Sequence, residues 1–180
     1  MALTRLNNRS ITAVTALPDG VLTSSVNFSQ ANIQLPSGHH RKIYTNYTTN
    51  EVATTSTSPI NVVGVIVPMN TDLYNYFIMW HTPIKRGSST TETDGVNMYI
   101  LVDSTVITTA YHRLFSTNTN SYANQSIQRY VTTGFSGGSN RTIYGAVSSY
   151  NNTSGEINTH DNSPDATSTG SRVTVWEYYK

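Results

Sequence analysis

From residue 43 to the end of the chain, apolar and β-branched residues come in short runs separated by turn formers. Runs rich in Val, Ile, Thr and Tyr occupy residues 43–48, 61–67, 74–81, 96–102, 105–109, 126–132, 141–149 and 173–179. Each has the length and make-up of a strand. The breaks between them hold Pro59, Pro68, Asn70, Gly87, the Asp94-Gly95 pair, Gly137, Gly138 and Gly155, residue types that turn a chain. Asp103-Ser104 is short enough for a tight hairpin. No stretch keeps a helical apolar period through three turns. About eight strands without intervening helices predict an all-β chain folded as an antiparallel β-sandwich or jelly roll.

Alternation along the runs predicts which faces are buried. In 172–178, Val173, Val175 and Glu177 share one face and Thr174, Trp176 and Tyr178 the other. Residues 98–102 are apolar on both faces, as expected of a central strand or one covered by another subunit, and 74–80 is similar.

Residues 1–36 read differently. Leu3, Leu6, Ile11, Val14 and Leu17 are spaced at three to five residues, a weak helical stripe undermined by Thr12, Val14 and Thr15. Pro18-Asp19-Gly20 and Leu35-Pro36-Ser37-Gly38 are turn signals. Either the segment is a first strand and loop of the main domain, or it is an N-terminal arm. An arm this short cannot bury its own apolar side chains and needs a partner surface. The expected organisation is an arm over 1–36, with the five apolar residues as anchor, and a β-sandwich over 37–180. No apolar run reaches the roughly 20 residues of a membrane helix, and no export signal is expected at the start.

Composition sharpens this picture. The 180 residues include 28 Thr, 21 Ser and 18 Asn, together as large a share as the hydrophobic 37%, while charged residues are only 12%. Thr suits strands, and Ser and Asn suit turns. Neutral hydroxyls and amides must therefore cover most of the surface. A net charge of +1 leaves no basic excess to neutralise a row of phosphates, so a nucleic-acid partner is not expected. The absence of Cys excludes disulfides, thiolate metal sites and a cysteine nucleophile.

The chain offers little chemistry. The five histidines show no metal-binding spacing, and neither a metal nor another cofactor is expected. His81, after Trp80, reads as a packed or half-exposed imidazole. His39-His40-Arg41-Lys42 reads as a solvated loop, or as a contact for an acidic patch on a neighbouring subunit. Glu156, Asp161 and Asp165 are the nearest approach to a carboxylate cluster, within a run of loop formers. Gly134-Phe135-Ser136-Gly137-Gly138 resembles a nucleophile elbow without its glycine spacing. An enzyme is not expected. Sugars are held by aromatic faces with amide and hydroxyl groups beside them. Tyr111, Tyr122, Tyr144, Tyr150 and Trp80 are available, and Tyr111, Tyr122 and Tyr150 are the expected glycan contacts.

The opening Leu6-Asn7-Asn8-Arg9-Ser10 through Val14-Thr15-Ala16-Leu17-Pro18 resembles the N-terminal segment of small virion proteins of tailed phages, many of them fibre or appendage proteins. The closing 171–178 resembles the last strand of their β-rich domains. The resemblance covers some 20 residues at the start and eight at the end. It implies a homotrimer on the virion surface, anchored by its N-terminal segment to other virion proteins of tail or capsid, with an exposed β-sandwich; contact of that sandwich with a host-surface glycan is the expectation the aromatic residues add. The alternatives are a capsid decoration protein that stabilises the shell and, third, a polysaccharide-degrading enzyme.

Overall fold

The computed structural model describes residues 37–86, 95–113, 122–150, 157–158 and 170–180. The proposed arm, including Leu3, Leu6, Ile11, Val14 and Leu17, lies outside the described residues, as do Glu156, Asp161 and Asp165.

The β-branched and aromatic runs form eight long strands. β1 (His40–Thr48) pairs with β10 (Ser171–Tyr179), β3 (Ile60–Pro68) with β8 (Asn140–Ser149), β4 (Tyr74–Arg86) with β7 (Tyr122–Val131), and β5 (Gly95–Val102) with β6 (Thr105–Arg113). All four pairings are antiparallel. First pairs with last, second with second-last, and so on inwards, like one long hairpin. The pairings β10–β4 and β8–β5 roll that hairpin into two sheets. Their orders are β1-β10-β4-β7 and β3-β8-β5-β6, the arrangement of a jelly roll. Each of the eight runs expected from the sequence falls on one of these strands, and the sandwich is confirmed. Two short strands were not anticipated: β2 (Ala53–Thr54) pairs with β9 (Ile157–Asn158), and β9 pairs with the end of β4.

β4 runs five residues beyond the expected His81, through Pro83. A proline cannot donate to a ladder and belongs where a strand has a free side. β10 pairs with β4 only as far as His81, and β9 joins it only at Lys85. Pro83 sits between them, paired to Asn124 of β7 alone.

The core lies between the sheets. Tyr76, Ile78, Trp80 and Ile84 of β4 face Val96, Met98 and Ile100 of β5, with Ile143 and Val147 of β8 and Val173 and Val175 of β10. β5, whose run 98–102 is apolar on both faces, is an interior strand flanked by β8 and β6. β10 alternates as its sequence predicts, and its buried face carries Glu177. That carboxylate is fully buried. It receives the Arg41 guanidinium on Oε1 and the Tyr44 hydroxyl on Oε2 at 3.3 Å. Arg41 also stacks on Tyr74 at 4.5 Å. The His39–Lys42 cluster is therefore not a solvated loop: His40, Arg41 and Lys42 belong to β1, and the acid that Arg41 meets is in its own chain.

The expected hairpin is present. Asp103 takes a left-handed φ of 55° between β5 and β6, and its carboxylate accepts from the Thr142 amide and the Arg141 guanidinium, both at 2.9 Å. These bonds hold the Asp103 carboxyl below the usual carboxylate range. The connection from β7 to β8 contains the elbow-like segment. Gly134, Gly137 and Gly138 have φ of 98°, 84° and 69°, so these glycines serve the turn rather than a nucleophile.

Two histidines set an acid limb of stability. His112 on β6 lies opposite Val96 on the inner face, with its Nε2 buried and without a partner among the described residues. Burial lowers its pKa below 6.5. His81 is half-buried on the outer face of β4, as its sequence context predicts, and is lowered by burial and then by Arg172. The unfolded chain therefore binds more protons than the folded one once the pH drops below 6.5. Through these groups stability should begin to fall as the pH drops below 6.5, stop falling once the pH is below the two folded values, and fall again below 3.8, where the unfolded Asp103 carboxyl protonates before the folded one. Urea unfolding across pH should show that first step, and His112→Gln should shrink it. An unchanged step in the variant would remove His112 from this account.

Candidate functional site

Strand directions give the sandwich two distinct ends. β1 starts at His40, β4 starts at Tyr74, β10 ends at Tyr179 and β7 ends at Val131 at one of them, where the described chain also begins. There Gly38 N–H bonds the Tyr179 carbonyl, and the Lys180 amine bonds the Thr71 carbonyl at 2.8 Å. At the opposite end β4 and β6 finish, β5, β7 and β10 begin, and Tyr150 follows β8. The strands flanking residues 87–94, 114–121 and 159–169 all stop at this second end.

Tyr111 and Tyr150 meet at that second end. Tyr111 points outward from β6, opposite Asn97 of β5, which in turn is opposite Ser148 of β8. The Tyr150 N–H extends the ladder by bonding the Gly95 carbonyl at 3.1 Å. The rings lie 4.6 Å apart, tilted by 50°. Both are open to solvent, at 45% and 56% exposure. Gly95 makes this possible, because a Cβ there would overlap the Tyr111 ring. Asp94-Gly95 is a turn signal in the sequence, but Gly95 is the first residue of β5, and its missing side chain is the space the tyrosine occupies.

Neutral polar atoms run beside the rings. Ser148 is buried and shares its hydroxyl with Tyr99 Oη at 3.0 Å and Asn97 Nδ2 at 3.4 Å. An aromatic pair flanked by an amide and a hydroxyl can stack on the C–H face of a pyranose and bond its hydroxyls. His112, next to Tyr111, projects to the inner face and adds no charge here.

Of the three expected glycan contacts, Tyr111 and Tyr150 thus come together. Tyr122 starts β7 opposite Lys85, and its side chain lies outside those described. Gly95, Asn97 and Ser148 were not anticipated, since each sits in an ordinary strand pattern and only pairing register brings them beside the tyrosines. Trp80 is no surface aromatic: it is fully buried against Gly145. Tyr144 lies on the outer side of β8 over Gly64. Among the described residues no group of three His, Asp or Glu side chains is placed to hold a metal, and Glu177 is committed to Arg41 inside the sandwich.

No protein-family model and no curated protein matches the chain. Among solved structures it is similar to a chain described as "EclA C-terminal domain; sugar-binding protein", with 16% identity and a TM-score of 0.37, over 89% of this chain and 97% of that one. A likeness at that level says nothing of what this chain binds.

Proposed function

We propose that the chain is a structural protein of a tailed-phage virion: a homotrimeric fibre or appendage subunit, attached through residues 1–36, that presents the Tyr111–Tyr150 pair to a neutral glycan of the host surface. The observation that supports this reading most is the polarity of the sandwich. The described chain enters at the end with His40 and Tyr179, and the exposed tyrosine pair lies at the other. The role is to present a shape, with no bond made or broken. Among the described residues the lining is uncharged, which suits a neutral sugar, whose recognition depends on stacking and hydrogen bonds and not on ion pairs.

The test is adsorption by particles carrying Tyr111→Ala with Tyr150→Ala. Both side chains are largely exposed, so folding and particle assembly should persist, while adsorption and binding to host polysaccharide fall at least tenfold. Unchanged adsorption would remove the tyrosine pair from host contact. Particles lacking the protein that adsorb normally but break under heat or osmotic shock would establish capsid decoration instead. Release of oligosaccharides on incubation with the polysaccharide would establish an enzyme.

A further inference from the structure

The outward face of the β3-β8-β5-β6 sheet carries more tyrosine than the Tyr111–Tyr150 pair. Beyond the row of Tyr111, Asn97 and Ser148, the next outward row holds Thr109, Tyr99, Ala146 and Asn61. The one after it holds Val106, Leu101, Tyr144 and Gly64. Tyr150 stands at the near end, beside Gly95. A tyrosine therefore occupies every outward row from Tyr150 to Tyr144. A strand rises about 3.3 Å per residue, so those six positions of chain cover about 20 Å of the face.

Two glycines let the rings lie low on the sheet. Gly95 admits the Tyr111 ring from β6, and Gly64 admits the Tyr144 ring from β8; a Cβ at either would overlap the ring. Tyr99, between them, leans from β5 onto β8, with its hydroxyl 3.0 Å from Ser148 Oγ. Leu101 is already covered, at 7% exposure. The exposed Val106 and Ile66 stand at the far margin, on the two edge strands of the sheet. The result is a diagonal strip of tyrosines from above Gly95 to above Gly64.

We propose that this strip binds an internal stretch of a linear, uncharged polysaccharide, several linked pyranoses long, with the Tyr111–Tyr150 pair at one end of the site. The inference deepens the glycan reading above and rests on it. Length decides between a chain and a terminal sugar. One pyranose stacks on a single aromatic face, whereas faces repeated over about 20 Å serve a polymer that meets each in turn. Charge decides the class of polymer. No residue in the rows from Tyr111 to Tyr144 is charged, so an anionic glycan would lose hydration there without gaining an ion pair. Arg113 pairs with Gly95 at the Tyr150 end, and its side chain lies outside those described. Between the rings, the exposed Thr109 and Asn61 and the half-buried Asn97 offer hydrogen bonds to sugar hydroxyls. A protein partner wants an apolar centre and a polar rim. Here the order is reversed, with the polar groups among the rings and the exposed aliphatic side chains at the margin.

The test begins with affinity electrophoresis of the full chain in gels that contain mannan, xylan, galactan or mixed-linkage β-glucan, with polygalacturonate as the anionic comparison. Retardation by at least one neutral polymer, and none by polygalacturonate, is expected. Titration calorimetry then uses the disaccharide and hexasaccharide of the retarding polymer. The hexasaccharide should bind about tenfold more tightly, because it reaches Tyr99 and Tyr144 as well as the pair. Tyr144→Leu keeps bulk over Gly64 but removes the aromatic face. It should bring the hexasaccharide down towards the disaccharide and leave the disaccharide alone, and Tyr144→Phe should restore the difference. Tyr111→Ala with Tyr150→Ala should weaken both ligands. Circular dichroism confirms the β fold of each variant; should Tyr144→Leu fail to fold, the length dependence of the wild type carries the test. No retardation by any neutral polymer, or retardation by polygalacturonate alone, overturns the strip and the glycan reading together. A disaccharide that binds as tightly as the hexasaccharide, with Tyr144→Leu without effect, overturns the strip and leaves the tyrosine pair standing. Hexasaccharide binding that is lost in Tyr144→Leu but kept without the pair overturns the pair and leaves the strip.

Discussion

Trp80→Ala is expected to lower the unfolding free energy by about 3–5 kcal/mol, a large part of the roughly 5–15 kcal/mol that holds an ordinary domain together. The indole is the largest fully buried side chain of the core. It occupies the space above Gly145 of β8, where a Cβ would overlap its Cδ1 and Nε1. The glycine and the tryptophan are thus one packing unit shared by the two sheets. Gly145→Ala should itself cost about 1–3 kcal/mol, since the ring has no room to shift in a close-packed interior. The two costs should not add. Once the indole is gone, the methyl group at 145 meets open space, so Gly145→Ala should cost almost nothing in the Trp80→Ala background. Urea unfolding of the four proteins measures the coupling, and simple additivity would show that the glycine is not there for the ring. Trp80→Phe should be milder than Trp80→Ala. It keeps most of the packing and removes Nε1, which is buried without a hydrogen-bond partner among the described residues.

The second large effect concerns the buried pair. Arg41→Met should cost about 3 kcal/mol, because it strands Glu177 between the sheets without its counter-charge. Removing both charges should be far less harmful. In Arg41→Met with Glu177→Leu no ion remains to be desolvated, and an apolar pair at such a site is often as stable as the ion pair it replaces. The Tyr44 hydroxyl loses its 3.3 Å contact, but Tyr44 is only partly buried and water can replace the carboxylate. Stability of the two singles and the double, taken as a cycle at neutral pH, decides the matter. A double variant as unstable as Arg41→Met would mean that the site needs its hydrogen bonds rather than charge balance.

Much of the architecture was legible in the residue pattern. Period-two runs of Val, Ile, Thr and Tyr located all eight long strands, because a strand half-buried in a sandwich needs that alternation wherever it lies in the sheet. The pattern failed where a rule depends on neighbours. Pro83 argues against a strand until β10 is seen to stop short of it. Asp94-Gly95 argues for a turn until the Tyr111 ring is found over the glycine. Glu177 shares a face with Val173 and Val175 in the sequence pattern, but its counter-charge is settled only when β1 brings Arg41 alongside.

The candidate sites divide in the same way. That exposed tyrosines would be available for a ligand followed from their number, and Tyr111 and Tyr150 were singled out, but they are 39 positions apart and nothing local pairs them. Likewise Tyr144 was one of the available aromatics. The strip it joins, through Tyr99 to Tyr111, draws on three strands.

The sequence by itself determined strand content, the two-faced character of each strand, the hairpin at Asp103 and the shortage of charge, because these depend on residues within a few positions of one another. Only the tertiary structure decided which strands lie side by side, which outward aromatics become neighbours, and at which end each surface stands. Those outcomes depend on long-range pairing and register, and a slip of a single residue would turn every side chain of a strand to its other face.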